Sequence, residues 1–257
     1  MSDLPGISSN DLLALVADGE PIRDAQLVEA RFERAGLAEA EFYNVTFVRC
    51  SFNESELFSS QFEDCRFVDC RFSHADLTET QFERCNFFDR ESSSSADFSY
   101  ARLTEARFIN CNLSGSRFVG AELFDASIRD CKANGAQFRE ASFARSIGGR
   151  DAVVRGQILN SIFDDSDLSD LNLEGMQLAD TSFTRADLSG AILMDANMAG
   201  CDIAGANLRK ANFERTDLRR GQLGDMSLAQ LSGYQGMKIS EDQQSQLLAQ
   251  LGIQVYR

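Results

Sequence analysis

Large apolar residues recur at every fifth position along most of this chain. From Ile22 the register runs through Leu27, Phe32, Leu37 and Phe42 to Phe87 without a break. It then slips by one residue, resumes at Phe98 and continues to Leu228. Only Ala133 and Gly148 interrupt the later stretch, so 39 of 41 positions obey the rule, although Phe, Leu, Ile, Val and Met supply just 72 of 257 residues. A second column, two residues before the first, is small: Ala25, Ala30, Ala35 and Ala40 early on, Ala186, Ala191 and Ala196 later. The remaining positions are mostly polar. A period of five fits neither the 3.6 of a helix nor the 2 of a strand. It suits a chain that turns a corner every fifth residue, so that four corners close a square coil with both columns facing the axis. Backbone hydrogen bonds would space such coils about 4.8 Å apart, which gives about ten coils and a rod of roughly 48 Å.

Coils that bury only their own axis need caps at both ends. Asn10 is the expected N-cap of a short helix, Asp11 to Ala17, that Gly19 and Pro21 stop. After Leu228, Ser240 and Gln243 make a capping box that opens a helix over Glu241–Gln250, ended by Gly252. Leu247, Leu248 and Leu251 form one apolar face of that helix, and Ile253, Val255 and Tyr256 follow as an extended tail. These six residues read either as an end cap or as a self-complementary twofold contact.

Two breaks punctuate the repeat. The step from Phe87 to Phe98 is eleven residues where ten is due, and its one extra residue should bulge as a loop over 88–97 carrying Arg90, Glu91, Ser92, Ser93, Ser94 and Ser95. In 144–157, Gly148 leaves the axis unfilled and Asp151 falls at a small inward position. That corner, with Arg145, Gly149, Arg150 and Arg155, should leave the coil. Each break is either a binding element on a rigid scaffold or a tolerated insertion. The organisation expected is a cap over 1–21, a first tower over 22–87, the loop 88–97, a second tower over 98–230 and a C-terminal module over 231–257.

The chain carries 40 acidic and 25 basic residues, a formal net charge of -15, which disfavours direct binding to nucleic acid or anionic membranes. The N-terminus lacks a basic n-region, and its longest apolar run, Leu12 to Ala17, is too short for a signal core or a membrane span. A cytoplasmic protein is expected. All seven cysteines fall in the small inward column, where a thiol substitutes for Ala or Ser, so free core thiols are favoured over disulfides or metal ligands. His74 is the only histidine, at an outward position with no nucleophile or orienting partner identifiable. The cluster Asp164, Asp165, Asp167 and Asp170 lacks the sixth-position glycine of a calcium loop, and Leu168 splays it around a corner. No catalytic residue, cofactor or metal site is expected.

The run A-[D/N]-L-x-x, seen at Ala186–Gly190 and Ala206–Lys210, resembles the pentapeptide repeat family. That resemblance implies an all-β fold, a right-handed quadrilateral parallel β-helix. The ending from Gly236 to Tyr256 is similar to the C-terminal module of the Qnr quinolone-resistance proteins. Phe72–Leu77, the eleven-residue step and Asp97–Leu103 also look like that family. The resemblance implies a homodimer joined through the C-terminus that acts on DNA gyrase and topoisomerase IV as a mimic of duplex DNA, with the two loops engaging the enzyme. The chain departs in having about six extra N-terminal pentads behind a helix and loop sequences of its own.

Charge is banded along the chain: -12 over residues 1–97, +3 over 98–160, -8 over 161–206 and +2 over 207–257. Asp64, Asp69, Asp164, Asp165, Asp167 and Asp170 are the acids expected on a DNA-like surface. A dimer would carry about half the charge of a duplex of equal length, which has one negative charge per about 1.7 Å. Shape and loop contacts would then have to supply specificity. The other readings are an interaction rod with a non-topoisomerase partner, and an enzyme built on a β-helix, for which no cluster of acids or bases is identifiable.

Overall fold

The computed structural model describes residues 4–146 and 152–254. It is a four-sided parallel β-solenoid. One sheet takes in Ile22–Arg23, Glu41–Tyr43, Gln61–Glu63, Gln81–Glu83, Arg107–Ile109, Ala126–Arg129 and Gly156–Leu159, each parallel to the next. Its central column stacks Ile22, Phe42, Phe62, Phe82, Phe108, Ile128 and Ile158. Single bridges continue the same side through Gln157, Gln177, Asn197, Asp217 and Lys238.

Hydrogen bonding dictates the spacing, and the rings comply. Phe42, Phe62, Phe82 and Phe108 pile with centroids 4.6, 4.9 and 4.9 Å apart and planes within 12° of parallel. Neighbouring sides meet edge to face, as Phe82 does with Phe87 at 5.3 Å and 76°, the geometry that ring quadrupoles favour. The small column has its own rule. Cys65, Cys85, Cys111 and Cys131 donate to the carbonyls of Phe42, Phe62, Phe82 and Phe108 at 3.3–3.5 Å. Ser60, Thr80 and Thr216 make the same bond to the coil before, each at 2.7 Å. All seven cysteines are free and buried, and burial pushes the Cys201 thiol up to about 12, which keeps it protonated and inert.

Each corner needs a left-handed residue two places after the large inward one: Asp24, Glu29, Arg34 and Glu39 have φ between 50 and 60°. That conformation costs a non-glycine residue about 1–2 kcal/mol. Its N–H is repaid by the coil above, as in Asp24 to Tyr43 O at 3.0 Å and Glu29 to Val48 O at 2.8 Å.

Several boundaries differ from those the sequence suggests. The N-terminal helix α1 spans Ser9–Ala17, and Ser8, not Asn10, is its N-cap: the Ser8 hydroxyl accepts the Asp11 N–H. Leu12 is fully buried against the first coil, and the preceding segment pairs with Gln26, covering the open edge. The first break holds six extra residues, not one, since Phe82 pairs with Phe108. They form an antiparallel hairpin of Phe88–Asp89 with Ser94–Ser95, while Asp97 already belongs to the coil, bridged to Arg71. The second break holds ten, since Ile128 pairs with Ile158. Ala144–Ser146 and Ala152–Val154 pair as a hairpin, and the coil resumes at Gly156 rather than after Gln157. Val153 therefore leaves the axis register and is exposed. Gly148, Gly149, Arg150 and Asp151 lie outside the described residues. The solenoid also runs past residue 230: after a 3₁₀ turn at Leu228–Gln230 it slips by one residue, and Phe213 and Leu218 bond to Gly233 and Lys238.

The C-terminal helix α2 spans Glu241–Gln250. Gln243 Oε1 accepts the Ser240 N–H at 2.7 Å, and its Nε2 donates to Leu218 O and Gly221 O at 2.8 and 2.7 Å. One buried side chain thus starts the helix and fastens it to the last coil. No helix among the described residues is long and apolar enough to cross a membrane.

Candidate protein-interaction surface

The first hairpin is held by a buried carboxylate. Asp89 pairs with Arg66 of the coil beneath and accepts the Ser92 N–H at 2.9 Å and the Ser92 hydroxyl at 2.6 Å. The Ser92 bonds, with Arg66 beside them, hold its carboxyl down at about 2 against the opposing effect of burial. Ser92 Oγ also meets Ser94 Oγ, and Ser95 Oγ donates to Gly115 O at 2.8 Å. These serines brace the hairpin and leave Arg90, Glu91, Ser92 and Ser93 exposed at its tip. The hairpin leans over the sheet of Gln26–Val28, Thr46–Val48 and Arg66–Val68, enclosing a groove of about 390 Å³.

The second hairpin is anchored by two arginines. Arg145 lies over the Phe124 ring at 5.0 Å, and Arg155 reaches Asp125 at 3.3 Å. Both were expected to serve a partner; in the folded chain they fix the hairpin's base. Phe124 and Asp89 are the anchoring residues of the hairpins that periodicity missed. A signal existed: only Phe58, Phe88 and Phe124 among the twenty phenylalanines stand outside the five-residue register, and two of those three belong to the hairpins or their footing.

The six acids expected on the DNA-like surface divide. Asp64 is paired with Arg84 at 2.8 Å, Asp165 with Arg185 at 2.7 Å and Asp167 with Arg139 at 2.7 Å. Arg185 holds the Asp165 carboxyl below its usual range. Burial pushes Asp167 up, but Ser169 and Arg139 outweigh it and bring it down. Asp164 accepts from the Ser182 hydroxyl and the Thr184 N–H. Of the six, only Asp69 and Asp170 keep an open carboxylate among the described residues. Pairs twenty residues apart, such as Arg34–Glu54, Arg49–Glu29 and Arg215–Asp195, run as ladders up the corners. Sorting by face instead of by chain position shows one side, from Glu39 to Asp125, that carries Glu39, Glu56, Asp76, Glu79, Glu105, Glu122 and Asp125 against Arg102, with Arg145 and Arg155 reaching its upper end from the second hairpin.

At the C-terminus Leu247 is buried in the chain's own core, so it closes the last coil instead of facing a partner. Leu248 is half-buried, whereas Leu251 and Ile253 are each 49% exposed. Val255 and Tyr256 lie outside the described residues.

Pentapeptide repeats match this chain in eight copies over residues 55–89, 94–130, 161–200 and 196–233. The gap between the first two matches falls within the first hairpin, and that between the second and third contains the second hairpin. Among solved structures, a trypsin-treated variant of QnrB1, a plasmid-mediated fluoroquinolone resistance protein, superposes with a TM-score of 0.77 at 32% identity, covering 82% of this chain and 99% of that one. Full-length QnrB1 gives 0.72 at 29% identity over 91% and 99%. HetL, a pentapeptide repeat protein involved in heterocyst differentiation regulation in the cyanobacterium Nostoc, gives 0.57 at 20% identity over 90% and 94%, a likeness of fold. No curated protein sequence matches the chain. With its five-residue register closed into coils and the repeats matched over more than half its length, the chain belongs to the pentapeptide repeat family and is Qnr-like within it.

Proposed function

We propose that this protein is a C-terminally joined homodimer that binds DNA gyrase, topoisomerase IV or both, entering the groove that receives duplex DNA and modulating the enzyme or protecting it from fluoroquinolone-type inhibitors. The observation that carries this reading is similarity to the fluoroquinolone resistance protein QnrB1 along 99% of that chain. Two braced hairpins and one acidic face suit recognition of a basic protein groove. Much of the remaining charge is cancelled within the chain, so electrostatics steers the approach while the hairpins and the shape of the rod confer specificity. Leu251 and Ile253 supply the exposed apolar contact for a twofold partner.

The deciding experiment is gyrase supercoiling with and without a fluoroquinolone, alongside direct binding across a salt series. Inhibition or drug rescue with affinity that weakens as salt rises supports the reading. No binding, no inhibition and no rescue at micromolar protein overturn it and leave an interaction rod with another partner.

A further inference from the structure

Phe58 is a large aromatic residue on an outward position, 39% exposed. Backbone bonds fix what shares its ladder: Ser59 N–H to Thr78 O at 2.8 Å, Glu79 N–H to Thr104 O at 2.9 Å and Glu105 N–H to Phe124 O at 2.9 Å. Phe58 and Phe124 therefore hold the same place on one face, three coils and about 14 Å apart. They differ in their cover. Phe124 is 6% exposed and lies beneath the Arg145 guanidinium. Phe58 has no ring or cation over it among the described residues.

Three glutamates occupy neighbouring positions in the coil lattice. Glu56 precedes Phe58 by two residues, the Glu39 N–H of the coil before donates to Phe58 O at 2.9 Å, and Glu79 of the coil after accepts from the Ser59 hydroxyl at 3.2 Å. None of the three has an ion-pair partner among the described residues. An exposed π face with acidic residues at the neighbouring positions favours a cation. A planar, weakly hydrated guanidinium stacks there better than an ammonium. An aliphatic group at the same spot would strip water from the carboxylates without satisfying them. The protein already makes this contact once, at Phe124.

We propose that Phe58, with Glu39, Glu56 and Glu79, is a docking point for an arginine side chain on a basic protein segment. The inference rests on the reading above only in taking the partner to be a protein with a basic surface. Fluorescence anisotropy of the full chain with labelled oligo-arginine and oligo-lysine peptides at low salt tests it. Oligo-arginine should bind more tightly than oligo-lysine. Phe58→Ala and Phe58→Leu should each weaken the arginine peptide roughly two- to five-fold and leave the lysine peptide unchanged, while Glu56→Gln weakens both. An arginine-to-lysine ratio that is the same in wild type and both Phe58 variants overturns the site. So does a ratio kept by Phe58→Leu, which would mean that apolar area and not the ring is read. The assay contains no topoisomerase, so its failure leaves the topoisomerase reading standing.

Discussion

The carboxylate of Asp89 is clamped by the guanidinium of Arg66 in the coil beneath it. This contact makes the first hairpin a braced element instead of a loose insertion. Asp89 titrates near 2 in the folded chain against an ordinary value of 3.8. A depressed carboxyl contributes stability that is complete above the unfolded value and lost as pH falls through the folded one. Hairpin order should therefore be intact above about pH 4 and disappear toward about pH 2, read as loss of amide protection at Ser92. At neutral pH, Asp89→Asn should speed tryptic cleavage after Arg90 several-fold with little change in the melting of the rod. Cleavage at the wild-type rate would mean that the clamp does not hold the hairpin.

Phe82 stacks on Phe62 and Phe108 and meets Phe87 and Phe98 edge-on. Its truncation to Ala leaves a cavity that rigid backbone stacking cannot close, and should cost about 3–5 kcal/mol in chemical denaturation. A loss below about 1 kcal/mol would be inconsistent with a packed ring ladder.

Gly120 and Gly135 separate backbone strain from side-chain crowding. Both are left-handed, at φ 65 and 67°, but a Cβ on Gly120 would sit 2.5 Å from the Tyr100 ring, while Gly135 faces open space. Gly135→Ala should cost about 1 kcal/mol, the strain alone. Gly120→Ala should cost more and push Tyr100 off His74, with which it stacks at 5.2 Å, visible as a shift of the His74 ring protons. Equal costs with unmoved His74 signals would rule out the crowding.

Removing residues 144–153 should leave the rod folded. Two whole pentads disappear, so Phe143 is again followed by Ile158 five places on, and the next coil restacks in register. Circular dichroism should stay β-rich, with a melting temperature within a few degrees of wild type, because shortening a surface excursion changes loop entropy little. Collapse of the fold would mean that the second hairpin is part of the core.

Leu247 and Leu251, four residues apart on α2, should behave oppositely. Leu247→Ala opens the buried end of the solenoid and should cost about 2–5 kcal/mol. Leu251→Asp should barely affect folding but shift a C-terminal dimer to monomer in light scattering. A dimer that survives Leu251→Asp, paired with Ile253→Asp, would place the twofold contact elsewhere.

The amino-acid sequence by itself determined the axis of this protein, its family and the helix Glu241–Gln250, because a large apolar residue at every fifth place leaves one way to bury them all, and a capping box is a local signal. Periodicity counts only modulo five, however. Six residues leaving the coil before Phe98 register as one, and ten leaving after Phe143 register as none, which is why Val153 looks like a core residue and is not. Only coil-on-coil stacking decided the rest. It brought Asp89 onto Arg66 and Arg84 onto Asp64, cancelling charges that stand far apart in the chain, and laid Arg145 over Phe124. It also set Glu39 and Glu79 on the coils either side of Phe58, because neighbours in a solenoid are set by backbone hydrogen bonds about twenty residues apart, a distance at which no local pattern speaks.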